Sequence, residues 1–493
     1  MAAPIEWSEL PDIALIYIYY KVADQDRLSM ALTCKNWHRL FSSALLWRHR
    51  RVVFNSDSAE LTAEKEIQFL DKFGHCLNKL SINIGTPNFK TCMAISKAAE
   101  TYVTRICGRN DIKLRELELE SLHLEQNWRF VLSRNRLVTA LCRMIRKQRR
   151  LQTIYMAGAR MRMVDGCRVL EALVKGTNAR TITNIYVEDF FETNVIPHRA
   201  QRYVSAISKF SSLQYIHINY KYLNGEVLRN FANKLGRKLE SLSLILEGDI
   251  RGLEIPTDVW VEFAKQCPLA EVGMYLCTTI LRGHDLRTPF VRGLPLNNVY
   301  LTSWSRADET EFRLAALLRH LGHLYNTSLE SFAMFFEQHE HLDVELLFML
   351  RRCRHLQDLS VLASISADTI IDIMNLQHQR LLALKSINLT ISGLTDADWA
   401  RIDAEKERLL ATVGDFVYVG PSENDSSDSG SSTITLEDDG DAVHAVEAGD
   451  ENIDAENAFA VQLNNIEIHI EDEDAIFGPL RNPYHDDDDN FLL

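Results

Sequence analysis

Between residues 77 and 390 the chain repeats one pattern of apolar and variable positions. An aliphatic residue is followed by two variable ones, an apolar residue, one variable residue and another apolar residue. The pattern appears at Leu77-Leu80-Ile82, Leu114-Leu117-Leu119, Leu151-Ile154-Met156, Ile182-Ile185-Val187 and Leu213-Ile216-Ile218. It continues at Leu239-Leu242-Leu244, Leu269-Val272-Met274, Leu296-Val299-Leu301, Leu329-Phe332-Met334, Leu356-Leu359-Val361 and Leu384-Ile387-Leu389, at intervals of 26 to 37 residues. Apolar residues two apart share one face of a strand. The segment between successive copies reads as a helix closing an outer wall; Leu137 to Ile145, with Leu141 and Met144, is the clearest. Each unit leaves its ends uncovered, so neighbours must stack to make a continuous core. Residues 394–419, a charged helix followed by Phe416-Val417-Tyr418-Val419, read as the closing cap.

The positions between or beside the inward aliphatics face solvent on the strand surface. They hold Tyr155, Tyr186, Tyr215, His217, Asn219, Tyr275, Tyr300 and Phe335. Large, semi-rigid aromatic side chains are favoured anchors for protein partners, which makes this track the candidate substrate contact. The alternative is that Tyr simply suits strands.

Ahead of the repeats, Pro11 suits the first turn of a helix, where its missing N–H is not needed. Ile13, Ile16 and Tyr20, with Leu15 and Val22 beside them, give that helix an apolar face. Asp24 is placed to cap a second helix bearing Leu28, Ala31 and Leu32. Trp37, Leu40, Phe41, Leu46 and Trp47 add aromatic and aliphatic bulk. Helices this short are marginal alone, so a partner or the following domain must cover much of their apolar surface.

The order Leu10-Pro11-Asp12, Asp26-Arg27-Leu28, Cys34-Lys35-Asn36-Trp37 and Leu45-Leu46-Trp47-Arg48 resembles an F-box, with Val22 and Arg27 standing where the family usually has Leu. The repeats resemble leucine-rich repeats, though irregular ones: Leu122, Lys221 and Glu247 replace the usual Asn. Together these resemblances imply an α/β chain in three parts: a three-helix F-box at 4–50, a leucine-rich-repeat solenoid of parallel strands and outer helices at 51–420, and a disordered acidic tail at 421–493. They imply contact with the adaptor Skp1 through Leu10, Pro11, Leu15, Ile18, Leu28 and Leu32, and through Skp1 with cullin and RING subunits. The implied role is the non-catalytic substrate receptor of an SCF ubiquitin ligase, holding an unknown protein by its repeats. The alternative is an adaptor or scaffold that binds Skp1 or a repeat partner without promoting ubiquitination; co-purification of a cullin separates the two.

Charge divides the chain unevenly. Residues 421–493 hold 21 Asp/Glu against Arg481 alone, a net of −20, whereas residues 1–420 carry 53 Lys/Arg and 47 Asp/Glu, a net of +6. Such a tail buries too little apolar surface to offset its ordering entropy. Its Ser426, Ser427, Ser429, Ser431 and Ser432 are acid-flanked candidates for phosphorylation, and Asp428 to Thr433 looks like a phosphodegron. Ile466-Glu467-Ile468-His469-Ile470 alternates as a strand, and faintly resembles a SUMO-interacting motif. A solubilising tail, or one that screens the basic body, are the other readings. The cluster Arg143, Arg146, Lys147, Arg149 and Arg150 reads as a solvated helix end suited to its dipole, with nucleic acid or an acidic substrate as alternatives.

Nine scattered cysteines without a CxxC suggest neither a zinc frame nor disulfides, and with no signal peptide point to cytosol or nucleus. Ile13 to Tyr20 is far short of the ~20 residues of a membrane span. There is no GxxxxGK[ST], GxGxxG after a strand, HExxH or GxSxG, and His320 with His323, or His339 and His341 around Glu340, match no metal site. His485 with Asp486 to Asp489 reads as a solvated charge run. No catalytic residue, cofactor, metal, membrane or nucleic-acid partner is expected, and no cysteine has a recognisable activating setting.

Overall fold

The computed structural model describes Trp7 and residues 10–421 except 56–57, 85–90, 121, 123–130, 247–251, 278–286, 304–313, 337–341, 392 and 414–416. The tail with its serine cluster, its alternating segment and His485, together with Glu247, His339 to His341 and Phe416, lies outside the described residues.

Three helices open the chain, α1 (Asp12–Tyr20), α2 (Asp24–Ala31) and α3 (Lys35–Phe41), followed by a 3-10 turn at Ala44–Trp47. Strands and helices then alternate: β1 (His49–Phe54), α4 (Ala59–Phe73), β2 (Lys79–Ile84), α5 (Cys92–Gly108), β3 (Glu116–Glu120) and α6 (Val131–Lys147). Next come β4 (Thr153–Tyr155), α7 (Met163–Leu173), α8 (Asn178–Thr181), β5 (Asn184–Tyr186), α9 (Gln201–Ile207) and β6 (Tyr215–Asn219). They are followed by α10 (Gly225–Leu235), β7 (Ser241–Leu246), α11 (Thr257–Gln266), β8 (Glu271–Cys277) and β9 (Leu296–Ser303). The series closes with α12 (Leu314–Leu324), β10 (Ser331–Phe336), α13 (Asp343–Arg352), β11 (Asp358–Ala363), α14 (Ala367–His378), β12 (Ser386–Ile391), α15 (Asp396–Val413) and β13 (Val417–Pro421). Among the described residues the thirteen strands make one sheet in strict sequence order, every neighbouring pair parallel. This is the solenoid-like α/β stack that the repeat pattern predicts.

The aliphatic pattern explains the register. Leu80, Leu117, Ile154, Ile185, Ile216, Leu242 and Val272 fall in line across β2 to β8, and all are buried in a core running from Val52 to Ile402. Removing one such Leu costs about 2–5 kcal/mol, because stacked units cannot collapse onto the gap.

Neighbouring units also complete one another's helix ends. The last carbonyls of a helix lack partners within it. Here the next unit supplies donors: Arg109 Nη1 to Leu70 O at 2.6 Å, Lys147 Nζ to Cys107 O, Asn178 Nδ2 to Ile145 O at 3.2 Å and Arg352 Nε to Gly322 O at 3.2 Å.

Three features differ from the expectation. The sheet begins at β1, ahead of the first repeat read from the pattern, with buried Val52 and Phe54 opposite Ile82 and Ile84. Between β8 and β9 no helix occurs among the described residues; buried Phe290 and Leu294 close the wall instead. They are held by His320 Nε2 against Phe290 O at 2.8 Å and by Tyr325 Oη donating to Val291 O at 2.9 Å. At the same junction the register shifts, so Val272 faces Leu296 and Met274 faces Val299. The repeats therefore do not stack motif on motif at that step. The closing segment is the helix α15 followed by β13, the last strand of the sheet, with Val417 opposite Ile387.

Candidate functional site

The opening helices have a core of their own made from Leu15, Ile16, Tyr19, Ala31, Leu40, Phe41, Leu46 and Trp47. Aromatic contacts fuse it to the last turns of α4. Trp47 stacks on Phe73 at 4.4 Å and meets Phe69 at 5.6 Å, while Phe41 meets Phe73 at 6.0 Å. Polar tips are satisfied internally, as buried aromatics require. Trp47 Nε1 donates to Phe41 O at 2.7 Å, Tyr19 Oη to Trp37 O at 2.9 Å and Tyr20 Oη to Leu45 O at 2.6 Å. Arg27 donates its Nε to Tyr19 O at 2.8 Å, closing the end of α1. Its guanidinium also lies 5.8 Å from the Trp47 ring.

The module also keeps large apolar side chains that no described residue covers. Trp7 is 68% exposed, Ile13 61%, Tyr17 55% and Leu32 75%. Ile13 and Tyr17 are one turn apart on α1, on the side away from Leu15, Ile16 and Tyr19. Ile13 and Leu45 also line a shallow pocket with Ile16 and Leu40, edged by the Asp12–Arg39 ion pair.

Of the six positions expected to meet an adaptor, Pro11 and Leu32 are exposed, while Leu10, Ile18 and Leu28 are half-buried against the module's own core. Leu15 is corrected: at 0% exposure it packs inside that core and has no surface to offer. Ile13, Tyr17 and Trp7 are exposed apolar residues outside that set of six. The available signal was that Ile13 to Tyr20 is apolar on every side, and such a helix must be covered twice.

On the strand surface, six of the eight tracked residues form a continuous run of rings. Tyr155 meets Tyr186 at 5.7 Å, Tyr186 meets His217 at 6.0 Å, and His217 stacks on Tyr275 at 5.7 Å. Tyr275 then meets Tyr300 at 5.9 Å, and Tyr300 stacks on Phe335 at 5.0 Å. The first three are register partners on adjacent strands, whose spacing of about 4.8 Å suits ring contact.

The next positions in that register are small, Ser243 and Gly273. Tyr275, two residues further on, leans back over Gly273 to reach His217; a Cβ at Gly273 would lie 3.2 Å from the Tyr275 ring. Phe335 repeats the device beside Ala333, the register partner of Tyr300.

Tyr215 and Asn219 stand apart from the run. Tyr215 Oη donates to Glu240, which ties it to the rim of the next strand. Asn219 is fully buried, and its amide brackets Asp189, accepting from Asp189 N at 2.6 Å and donating to Asp189 Oδ1 at 3.1 Å. That pins a backbone held at φ 48, a left-handed geometry that costs a non-glycine residue about 1–2 kcal/mol. Its role is to hold the turn, a correction to the surface track. His217 and Tyr300 are buried too, leaving Tyr155, Tyr186, Tyr275 and Phe335 as the half-exposed members.

Among the described residues no group of three or more His, Cys, Asp or Glu side chains is placed to hold a metal ion, and no helix is long and apolar enough to cross a membrane. Cys34, Cys76, Cys107, Cys142, Cys167, Cys267 and Cys353 form no disulfide. Burial pushes the Cys353 thiol up to about 12, and Cys167 and Cys267 up to about 11, so these three remain protonated at neutral pH and are poor nucleophiles. A family model described as F-box-like matches residues 7–52, and the helices that open this chain form an F-box-like domain.

Proposed function

We propose that this chain is the substrate-recognition subunit of an SCF ubiquitin ligase. The observation that carries the reading is the two-sided character of the F-box-like domain. One face is welded to α4 by Trp47, while the far side of α1 presents Ile13 and Tyr17, and Trp7 and Leu32 are exposed as well. Skp1 covers that second face, with Pro11 at its edge, and brings cullin and RING subunits with it. The stack behind the domain is a leucine-rich-repeat solenoid in this reading, and the ring run from Tyr155 to Phe335 contacts the substrate protein. The order Leu10-Pro11-Asp12, Leu45-Leu46-Trp47-Arg48, Phe73-Gly74-His75-Cys76-Leu77 and Glu188-Asp189-Phe190 resembles F-box only protein 39. Rate enhancement comes from holding a target lysine at high effective concentration near a charged enzyme, without acid–base chemistry by this chain. Residence in cytoplasm or nucleus is part of the same proposal.

Proximity labelling under proteasome inhibition tests the substrate half. Tyr155→Ala/Tyr186→Ala/Tyr275→Ala is expected to keep the melting temperature within a few degrees and retain Skp1, while losing the proteins that accumulate around the wild type. Unchanged capture by this variant contradicts the assignment of the ring run.

A further inference from the structure

Because every strand is parallel, all helix-to-strand connections lie on one edge of the stack. From α6 to α10 this edge is mainly basic; its carboxylate, Glu240, accepts from Gln214 and Tyr215. Some of its cations are committed to neighbouring carbonyls: Lys147 to Cys107 O, Lys234 to Ser208 O and Lys238 to Ser211 O. Those contacts account for the helix-end role expected of such residues. Arg146, Arg149, Arg150, Lys175, Arg180 and Arg237 are exposed on the same edge, and their side chains enter none of the ion pairs or hydrogen bonds of the described residues; Arg149 meets Thr177 only through its carbonyl, and Arg146 acts on Glu171 only through its field. Like charges gathered on one edge repel one another slightly and attract an external anion.

The same edge carries the F-box-like domain, whose core is completed by Phe69, Phe73 and Cys76 at the end of α4. An anion bound there sits on the side of the molecule that faces the proposed ligase. Five of the six side chains are guanidinium groups, which suit bidentate carboxylates. From β4 to β7 is three strand steps, roughly 15 Å, the reach of about five extended residues. A long nucleic acid fits less well. The six-residue cluster contains no aromatic side chain on which bases would stack.

We propose that Arg146, Arg149, Arg150, Lys175, Arg180 and Arg237 form a second docking site that binds an acidic peptide segment of the substrate protein. The proposal rests on the receptor reading above. It is tested with the full-length chain purified with Skp1, titrated into a short fluorescein-labelled poly-Glu peptide and, separately, into a thymidine oligonucleotide of equal charge. Saturable, salt-sensitive peptide binding is expected, tighter than for the oligonucleotide. Arg149→Glu/Arg150→Glu/Arg180→Glu should weaken it at least about tenfold, since attraction at each position becomes repulsion, while Skp1 is retained. No saturable peptide binding overturns the proposal, as does binding unchanged in the variant; tighter oligonucleotide binding assigns the edge to nucleic acid instead. Failure of the wild type to hold Skp1 would defeat the ligase reading while leaving the peptide result standing.

Discussion

Replacing Ile13 and Tyr17 together by Asp is expected to abolish capture of Skp1 while leaving the fold intact. Both side chains point away from the module's core and exceed half exposure, so neither substitution opens a cavity. In the complex each would lose the burial of a large apolar side chain, about 1.5–3 kcal/mol apiece. Each would also place a carboxylate against an apolar surface, which adds further cost. The sum corresponds to at least about a hundredfold weaker binding. Calorimetric titration of purified chain with Skp1 measures it, with the melting temperature as control. An affinity within a few-fold of wild type would mean that this face is not the adaptor contact.

Trp47→Ala should act from the other side. Its indole is buried, stacks on Phe73, touches Phe41 and Phe69 and donates to Phe41 O. Truncation removes the main tie between the opening helices and α4, at about 3–5 kcal/mol. The expected result is local: amides of α1 to α3 exchange rapidly while those of β4 to β8, deep in the stack, keep their protection. Skp1 binding is expected to fall with the loss of order, even though buried Trp47 offers almost no surface of its own. Exchange across α1 to α3 as slow as in the wild type would show that the module stands without this residue.

Much of the fold was legible because its signal is a period. Every aliphatic position from Leu80 to Leu389 that the pattern directs inward is buried in one core, since nothing else satisfies two apolar residues per strand. The register step at β8 and β9 was not legible. It depends on an extra residue, Asn297, accommodated between Leu296 and Asn298, and Asn carries no mark of that choice. The first strand was hidden because His49-Arg50-Arg51 reads as a charged segment until Arg50 is seen paired with Glu66 and resting 4.4 Å from the Phe69 ring.

The candidate site divides the same way. A helix apolar on all sides shows that two faces need cover but not which residue serves which, and so Leu15 was assigned outward in place of Ile13. The ring run followed from strand alternation, but Tyr215 and Asn219 left it through particular partners, Glu240 and Asp189, that lie 25 and 30 residues away. Contacts at such separations leave no periodic trace. The run's continuity across Ser243 and Gly273 likewise rests on where two rings lean, a matter of side-chain geometry.

The central claim is that the exposed face of the opening helices belongs to Skp1. Hydrogen exchange of the full-length chain, with and without Skp1 at concentrations well above about 1 µM, tests it most directly. The account predicts a stoichiometric complex in which α1 and the end of α2 around Leu32 gain protection. A mixture that forms no complex, or one whose protection lies elsewhere, would contradict it.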